Sequence, residues 1–128
     1  MSKRNVIMIV EDEAILQDVY KLVLTNAGHK VHTANNGKEA LDQLTKIKPN
    51  LVLLDIFMPV LDGIGFLRAL DKSAYPEMRV VVCSNLSDTK VQKEVAGLGA
   101  DDYVLKASLG PAELLKLVES VNDSVSAT

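Results

Sequence analysis

Residues far apart along this chain carry groups that could perform phosphoryl chemistry together: Glu11, Asp12, Asp55, Ser84 and Lys106. Each follows a short apolar run: Val10-Glu11-Asp12-Glu13, Leu54-Asp55, Cys83-Ser84-Asn85 and Leu105-Lys106. Crowded carboxyl groups repel one another, and their pKa values rise unless a cation sits among them. An oxygen-only set without His or Cys suits a hard ion, and a shallow site with few carboxylates suits Mg²⁺ rather than Zn²⁺. A carboxylate can also accept a phosphoryl group covalently. Phosphoryl transfer requires mainly charge neutralisation and alignment, which Mg²⁺ and one Lys can supply. Lys106 would then pair with phosphoryl oxygens, and Ser84 would hydrogen-bond one of them.

The apolar runs that lead into these residues read as strands. Residues 5–10, 51–54 and 79–83 are continuous and rich in Val, Leu and Ile, as strands buried on both faces are. Residues 30–34 and 102–105 are more alternating, as edge strands often are. Helical spacing falls between them. Leu16, Val19, Leu22, Val23 and Ala27 form one stripe, stopped by Gly28. Ala40, Leu41, Leu44 and Ile47 form a second, which begins at Gly37 and ends before Pro49. A third helix is expected over residues 64–71. A weaker fourth covers 87–97, with Val91 and Val95 as its apolar positions. A fifth starts at Pro111 and buries Leu114, Leu115, Leu117, Val118 and Val121. Strict β–α alternation implies an α/β, doubly wound five-stranded parallel sheet with helices on both faces and right-handed crossovers. In such sheets ligands bind beyond the carboxyl ends of the strands, which is where the reactive groups fall.

The 128 residues suit one domain, with a core over about 5–121 and a short polar tail at 122–128 expected to fray. The single Cys83 cannot form an internal bridge and reads as a small core hydrophobe in a reducing compartment. No apolar run approaches the roughly 20 residues that span a bilayer. The start shows no signal-peptide pattern, so a cytoplasmic protein without membrane contact is expected. The net charge is −3 and Lys and Arg are scattered, which argues against direct nucleic-acid binding.

The stretch from Asp55 through Ile56-Phe57-Met58-Pro59-Val60-Leu61 to Asp62-Gly63 resembles the phosphoacceptor signature of response-regulator receiver domains of two-component signalling, of the chemotaxis single-domain type. The other motifs agree in order: Glu11-Asp12 early, Ser84 at the fourth strand end, and Tyr103 three residues before Lys106. The resemblance implies a flavodoxin-like sheet in the order 2-1-3-4-5 and Asp55 as phosphoacceptor. It implies Asp12, Asp55 and the Phe57 backbone carbonyl as Mg²⁺ ligands, with Glu11 acting through water. Ser84 and Tyr103 would be the switch pair, Tyr103 turning inward on phosphorylation. A sensor histidine kinase or histidine phosphotransfer protein would donate the phosphoryl group. A downstream protein would read the face formed by the fourth helix, fifth strand and fifth helix. The chain would act as a monomer or a phosphorylation-linked dimer.

Departures from the family carry their own expectations. The family usually has Pro after the Lys, joined by a cis peptide, whereas this chain has Lys106-Ala107. A cis bond kept to aim Lys106 is expected, with a trans bond and a rebuilt Ser108-Leu109-Gly110 loop as the alternative. Asn85 is larger than the family's small residue there. Phe57 and Leu86 occupy positions that influence hydrolytic water in the family; both are apolar, so a long-lived phosphoryl group is expected.

Plainer readings exist for each residue. Glu11 and Asp12 could be helix N-terminal acids. Lys106 could be a solvated Lys, Ser84 could bond nearby backbone, and Tyr103 could be an ordinary edge-strand aromatic. Asp62-Gly63 reads as a turn. His29 and His32 flank a short strand with no second ligand nearby and are expected at the surface. As a whole, the chain reads as a phosphorylation-dependent switch and not an enzyme with a separate substrate, beyond modifying and hydrolysing its own Asp55. The alternatives are a phosphorylation-independent interaction module and an aspartyl-phosphate hydrolase. The hydrolase is disfavoured because Phe57 cannot donate a proton and no cap domain fits.

Overall fold

A computed structural model describes residues 4–126, with side chains described up to Val121. Five strands alternate with five helices: β1 (Val6–Val10), α1 (Ala14–Asn26), β2 (Lys30–Ala34), α2 (Gly37–Ile47), β3 (Leu51–Leu54), α3 (Gly63–Ala69), β4 (Arg79–Ser84), α4 (Thr89–Gly97), β5 (Asp102–Leu105) and α5 (Pro111–Ser126). Short 3-10 turns at Lys72–Ala74 and Lys106–Ser108 complete the connections. The sheet is parallel throughout and runs β2-β1-β3-β4-β5, the expected doubly wound order.

Alternation of side chains across the pleat divides the core in two. Met8, Val10, Val52, Leu54, Val80 and Val82 pack with Ala40, Leu44, Phe66 and Val95 of α2, α3 and α4. Ile7, Ile9, Leu51, Leu53, Val81 and Cys83 face the other way, against Tyr20, Leu24, Leu114 and Val118 of α1 and α5. Both faces of β1, β3 and β4 are therefore dry, which is why their sequences are continuous apolar runs.

Local chemistry fixes the helix ends. Asn36 caps α2 by accepting the Glu39 amide at 2.9 Å, and Lys48 closes that helix in the left-handed region at φ 50° before Pro49. Gly28 follows α1 at φ 96°, a value few other residues adopt without strain. Asp62 caps α3 by accepting the Gly65 amide at 2.7 Å, so Asp62-Gly63 begins a helix instead of forming a free turn.

Several expectations are corrected. The buried face of α1 is Gln17, Tyr20 and Leu24, whereas Val19 and Leu22 are exposed together with Ile15. The helix α5 runs through Ser126, and residues 127 and 128 of the expected polar tail lie outside the described residues. His29 is buried and accepts the Asn5 backbone N–H at Nδ1, 3.0 Å away, and His32 is half-buried. No cis peptide bond occurs among the described residues, so Lys106–Ala107 is trans and a 3-10 turn over Lys106–Ser108 rebuilds the loop. This turn keeps Lys106 aimed at the acids by local winding of the backbone.

Candidate functional site

Strand register brings the site together. Val10 pairs with Leu54 and Leu54 with Val82, so Glu11 and Asp55, which follow β1 and β3, emerge at the level where β4 ends in Cys83-Ser84. The Asp55 amide donates to the Val10 carbonyl at 3.0 Å, and the Glu11 amide to the Ala34 carbonyl at 3.0 Å, which extends the ladder to the rim. Ser84 pairs with Leu105, so Lys106 leaves β5 beside Ser84.

Carboxylate oxygens of Glu11, Asp12 and Asp55 lie within 4.8 Å of one another. Glu11 and Asp55 are buried and Asp12 is exposed, which gives the cluster a closed floor and an open side. The Lys106 ammonium donates to Glu11 Oε1 and lies 3.2 Å from Asp55 Oδ2. Burial pushes the Glu11 carboxyl up, the Lys106 hydrogen bond opposes that rise, and the Asp55 charge adds to it; the net direction is up. For Lys106 burial pulls the ammonium down, but the hydrogen bond to Glu11 and the Asp55 charge outweigh it and hold it above the usual Lys range. Three carboxylates with one ammonium leave negative charge at the open side, a donor set that fits a hard divalent cation.

An open cavity of about 280 Å³ lies over the cluster, lined by Asp12, Glu13, Asp55, Phe57, Ser84, Asn85, Leu86 and Lys106. Asp12, Asp55, Ser84 and Lys106, singled out from the sequence, therefore share one space, and Glu11 joins them through its contact with Lys106. Phe57 stands exposed on its wall and Leu86 is half-buried on the other side. Tyr103 lines a separate cavity of about 220 Å³ between α4 and β5, with Gln92, Val95 and Asp101. Two hydrogen bonds connect it to the site: the Leu86 amide donates to Ser84 Oγ at 3.2 Å, and the Tyr103 hydroxyl donates to the Leu86 carbonyl at 2.6 Å.

The loop after Asp55 is tightly folded. The Gly63 amide donates to the Ile56 carbonyl at 2.8 Å, and a Cβ at Gly63 would lie 2.3 Å from the Asp55 carbonyl oxygen. Only Gly permits this approach of α3 to the acceptor. Val60, at φ 68°, stores strain in the same loop, since a β-branched residue rarely enters the left-handed region.

Two site-supporting residues escape sequence reading. Gln17 is a polar residue on the buried face of α1, where apolar residues dominate the pattern. Tyr20, one turn on, reaches under Lys106 into a water-sized space of about 10 Å³ also lined by Glu11, Asp55 and Cys83. The Cys83 thiol there is pushed up to about 12 by burial, which makes it an inert core group. A signal for Gln17 existed: an uncharged amide one turn after the acids, spaced three residues before Tyr20.

The geometry is thus a doubly wound parallel sheet with paired acids, a central Asp and a Lys gathered on its carboxyl rim. The chain belongs to the response regulator receiver domain family, whose profile matches residues 7–119. The chemotaxis protein CheY of Thermotoga maritima is 32% identical over 95% of this chain and 97% of its own length. The probable transcriptional regulator ycf27 of Porphyra purpurea is 38% identical over 94% of this chain, which spans about half of that regulator. Most of the curated relatives compared are likewise matched over about half their length. Among solved structures, a CheY-like receiver domain from Methanospirillum hungatei superposes with a TM-score of 0.86 at 25% identity, covering 98% of this chain and all of that one. The fold is thus that of two-component receiver domains. No helix among the described residues is long and apolar enough to cross a membrane.

Proposed function

We propose that this chain is a phosphorylation-dependent signalling switch in which Asp55 accepts a phosphoryl group from a phosphohistidine. The carrying observation is the placement of Asp55 Oδ2 3.2 Å from Lys106 Nζ within a cluster of three carboxylates. In the transfer an Asp55 oxygen forms the new bond to phosphorus. The phosphorus–nitrogen bond breaks, and the donor imidazole keeps its electron pair. Lys106 leaves Glu11 and Asp55 to pair with phosphoryl oxygens, and Ser84 donates its hydroxyl proton to one of them. Mg²⁺, held by Asp12, Asp55 and the Phe57 backbone carbonyl with Glu11 acting through water, would supply charge neutralisation during transfer. The chain acts on its own Asp55 and on no separate substrate. Apolar Phe57 and Leu86 at the cavity wall keep attacking water out and lengthen the life of the acyl phosphate.

The donor is a sensor histidine kinase or histidine phosphotransfer protein. Exposed Ile15, Val19 and Leu22 support such a partner, because spacings of four and three make an apolar seam suited to helical packing. Ile15 lies three residues past Asp12, so the seam begins at the rim of the site. The output passes through Leu86 and Tyr103 to the α4–β5–α5 face, where a downstream protein docks.

Incubation with acetyl phosphate and Mg²⁺, followed by intact mass, tests the reading. One added phosphoryl group that disappears in Asp55→Asn and with a chelator supports it. If neither acetyl phosphate nor a cognate phosphohistidine donor modifies the protein, a phosphorylation-independent binding module replaces it.

A further inference from the structure

The Gln17 side chain makes a set of contacts that the phosphoryl chemistry itself does not require. Its residue is only 8% exposed, on the face of α1 that packs against the sheet. The amide Nε2 donates to the Glu11 carbonyl, reaches the Ala34 carbonyl at 3.3 Å and donates to Asn35 Oδ1 at 2.9 Å. These acceptors belong to the peptide leaving β1, the last residue of β2 and the loop that enters α2. Asn35 is held in turn by Glu39, which accepts the Asn35 backbone amide at 3.2 Å. One amide therefore ties α1 to the exits of two strands.

The tie lies next to the acids. The Glu11 carbonyl belongs to the peptide that joins Glu11 to Asp12, so holding it fixes the plane from which both side chains depart. The Glu11 carboxylate adds a second constraint by accepting the Glu13 amide at 3.2 Å. Without the Gln17 donor, the Glu11 carbonyl would turn and the acidic pair would lose its fixed separation. Buried groups behind metal-binding carboxylates usually matter through such orientation, and their loss typically costs about 10–100-fold in metal affinity.

We propose that Gln17 is a positioning residue that presets Glu11 and Asp12 for a divalent cation. The proposal rests on the functional reading above. Its signature is a change in cation affinity with the maximal reaction preserved: once enough Mg²⁺ is present, Asp55, Lys106 and Ser84 remain in place.

The test compares wild type, Gln17→Met and Gln17→Asn. The Met variant keeps length and volume and removes the donor; the Asn variant keeps the amide and shortens its reach. Val118→Ala, on the buried face of α5, serves as a variant that loses stability away from the site. Binding is read from the electron paramagnetic resonance of free Mn²⁺ and from the rise in thermal midpoint on adding Mg²⁺. Phosphorylation by acetyl phosphate is followed against Mg²⁺ concentration. Both Gln17 variants should bind about tenfold more weakly or worse and should recover near-wild-type phosphorylation at saturating Mg²⁺. Val118→Ala should keep the wild-type affinity. Wild-type affinity in a folded Gln17→Met or Gln17→Asn would overturn the proposal, as would equal weakening in Val118→Ala. A wild type that binds neither ion would overturn the functional reading and this inference with it, whereas binding by wild type and variants alike would remove only the inference.

Discussion

Tyr103 and Ser84 meet on a single residue: the Tyr103 hydroxyl donates to the Leu86 carbonyl, and the Leu86 amide donates to Ser84 Oγ. Ser84 Oγ and the Tyr103 hydroxyl thus hold the two successive peptide groups on either side of the Leu86 Cα, so a displacement of the Ser84 hydroxyl acts on the residue whose carbonyl accepts from Tyr103. The linkage needs no contact between the two side chains.

This linkage makes Tyr103→Phe informative. The variant should lose about 1 kcal/mol in urea unfolding, the usual net worth of one hydrogen bond. Combined with Ser84→Ala, it should show a coupling of about 0.5 kcal/mol or more. Strictly additive effects would show that Leu86 does not join them.

Lys106→Met should destabilise the protein in the absence of divalent cations. Removing the ammonium leaves Glu11 beside Asp55 with no compensating charge, a loss of roughly 3–5 kcal/mol for a mostly buried ion pair. Mg²⁺ should restore part of that stability while phosphoryl uptake stays low. Unfolding curves with and without Mg²⁺ measure this, and an unchanged midpoint in metal-free buffer would contradict the assigned role.

Phe57→Asn and Leu86→Glu place polar groups on the wall of the phosphoryl cavity. Each should speed loss of the Asp55 phosphoryl group by about tenfold, equivalent to one hydrogen bond aligning a water in the transition state. Intact mass followed over time gives the rate. Identical decay in wild type and both variants would remove the water-exclusion argument.

His29 sets a pH dependence far from the site. Burial lowers its pKa from 6.5 and the Glu119 charge only partly opposes this, while its Nδ1 lone pair is already committed to the Asn5 amide. The folded state then binds a proton less readily than the unfolded chain. Its contribution to stability is complete above pH 6.5 and is lost as pH falls through the depressed value. Denaturant midpoints measured from pH 7.5 downward should fall more steeply in wild type than in His29→Gln, which keeps a neutral acceptor. Parallel curves would exclude the imidazole as the cause.

The acids and Asp55 were legible because they follow continuous apolar runs that read as buried strands, and Lys106 because the alternating edge strand before it exits at the same rim. The face of α1 was not legible. Ile15, Val19 and Leu22 make as good an apolar stripe as the buried set, and the choice falls to Gln17 and Tyr20 through contacts with strand ends remote in sequence. His29 was misplaced for a similar reason: its partner is the backbone of Asn5, 24 residues away, and no local pattern announces it. The trans Lys106–Ala107 bond is what a non-proline peptide prefers by about 2.5–4 kcal/mol, whereas the 3-10 winding over Lys106–Ser108 depends on contacts that no local pattern announces.

The sheet separates two apolar layers that share a floor and exchange almost no side chains. The α1 seam rests on one layer, and Tyr103 with α4 rests on the other. Substitutions that retune recognition on α1 should therefore leave packing under α4 nearly unaffected, since distant sites without shared partners act additively. A chain built this way can change the partner it listens to without relearning how to answer, and lineages of such proteins can diversify their inputs and outputs on separate schedules.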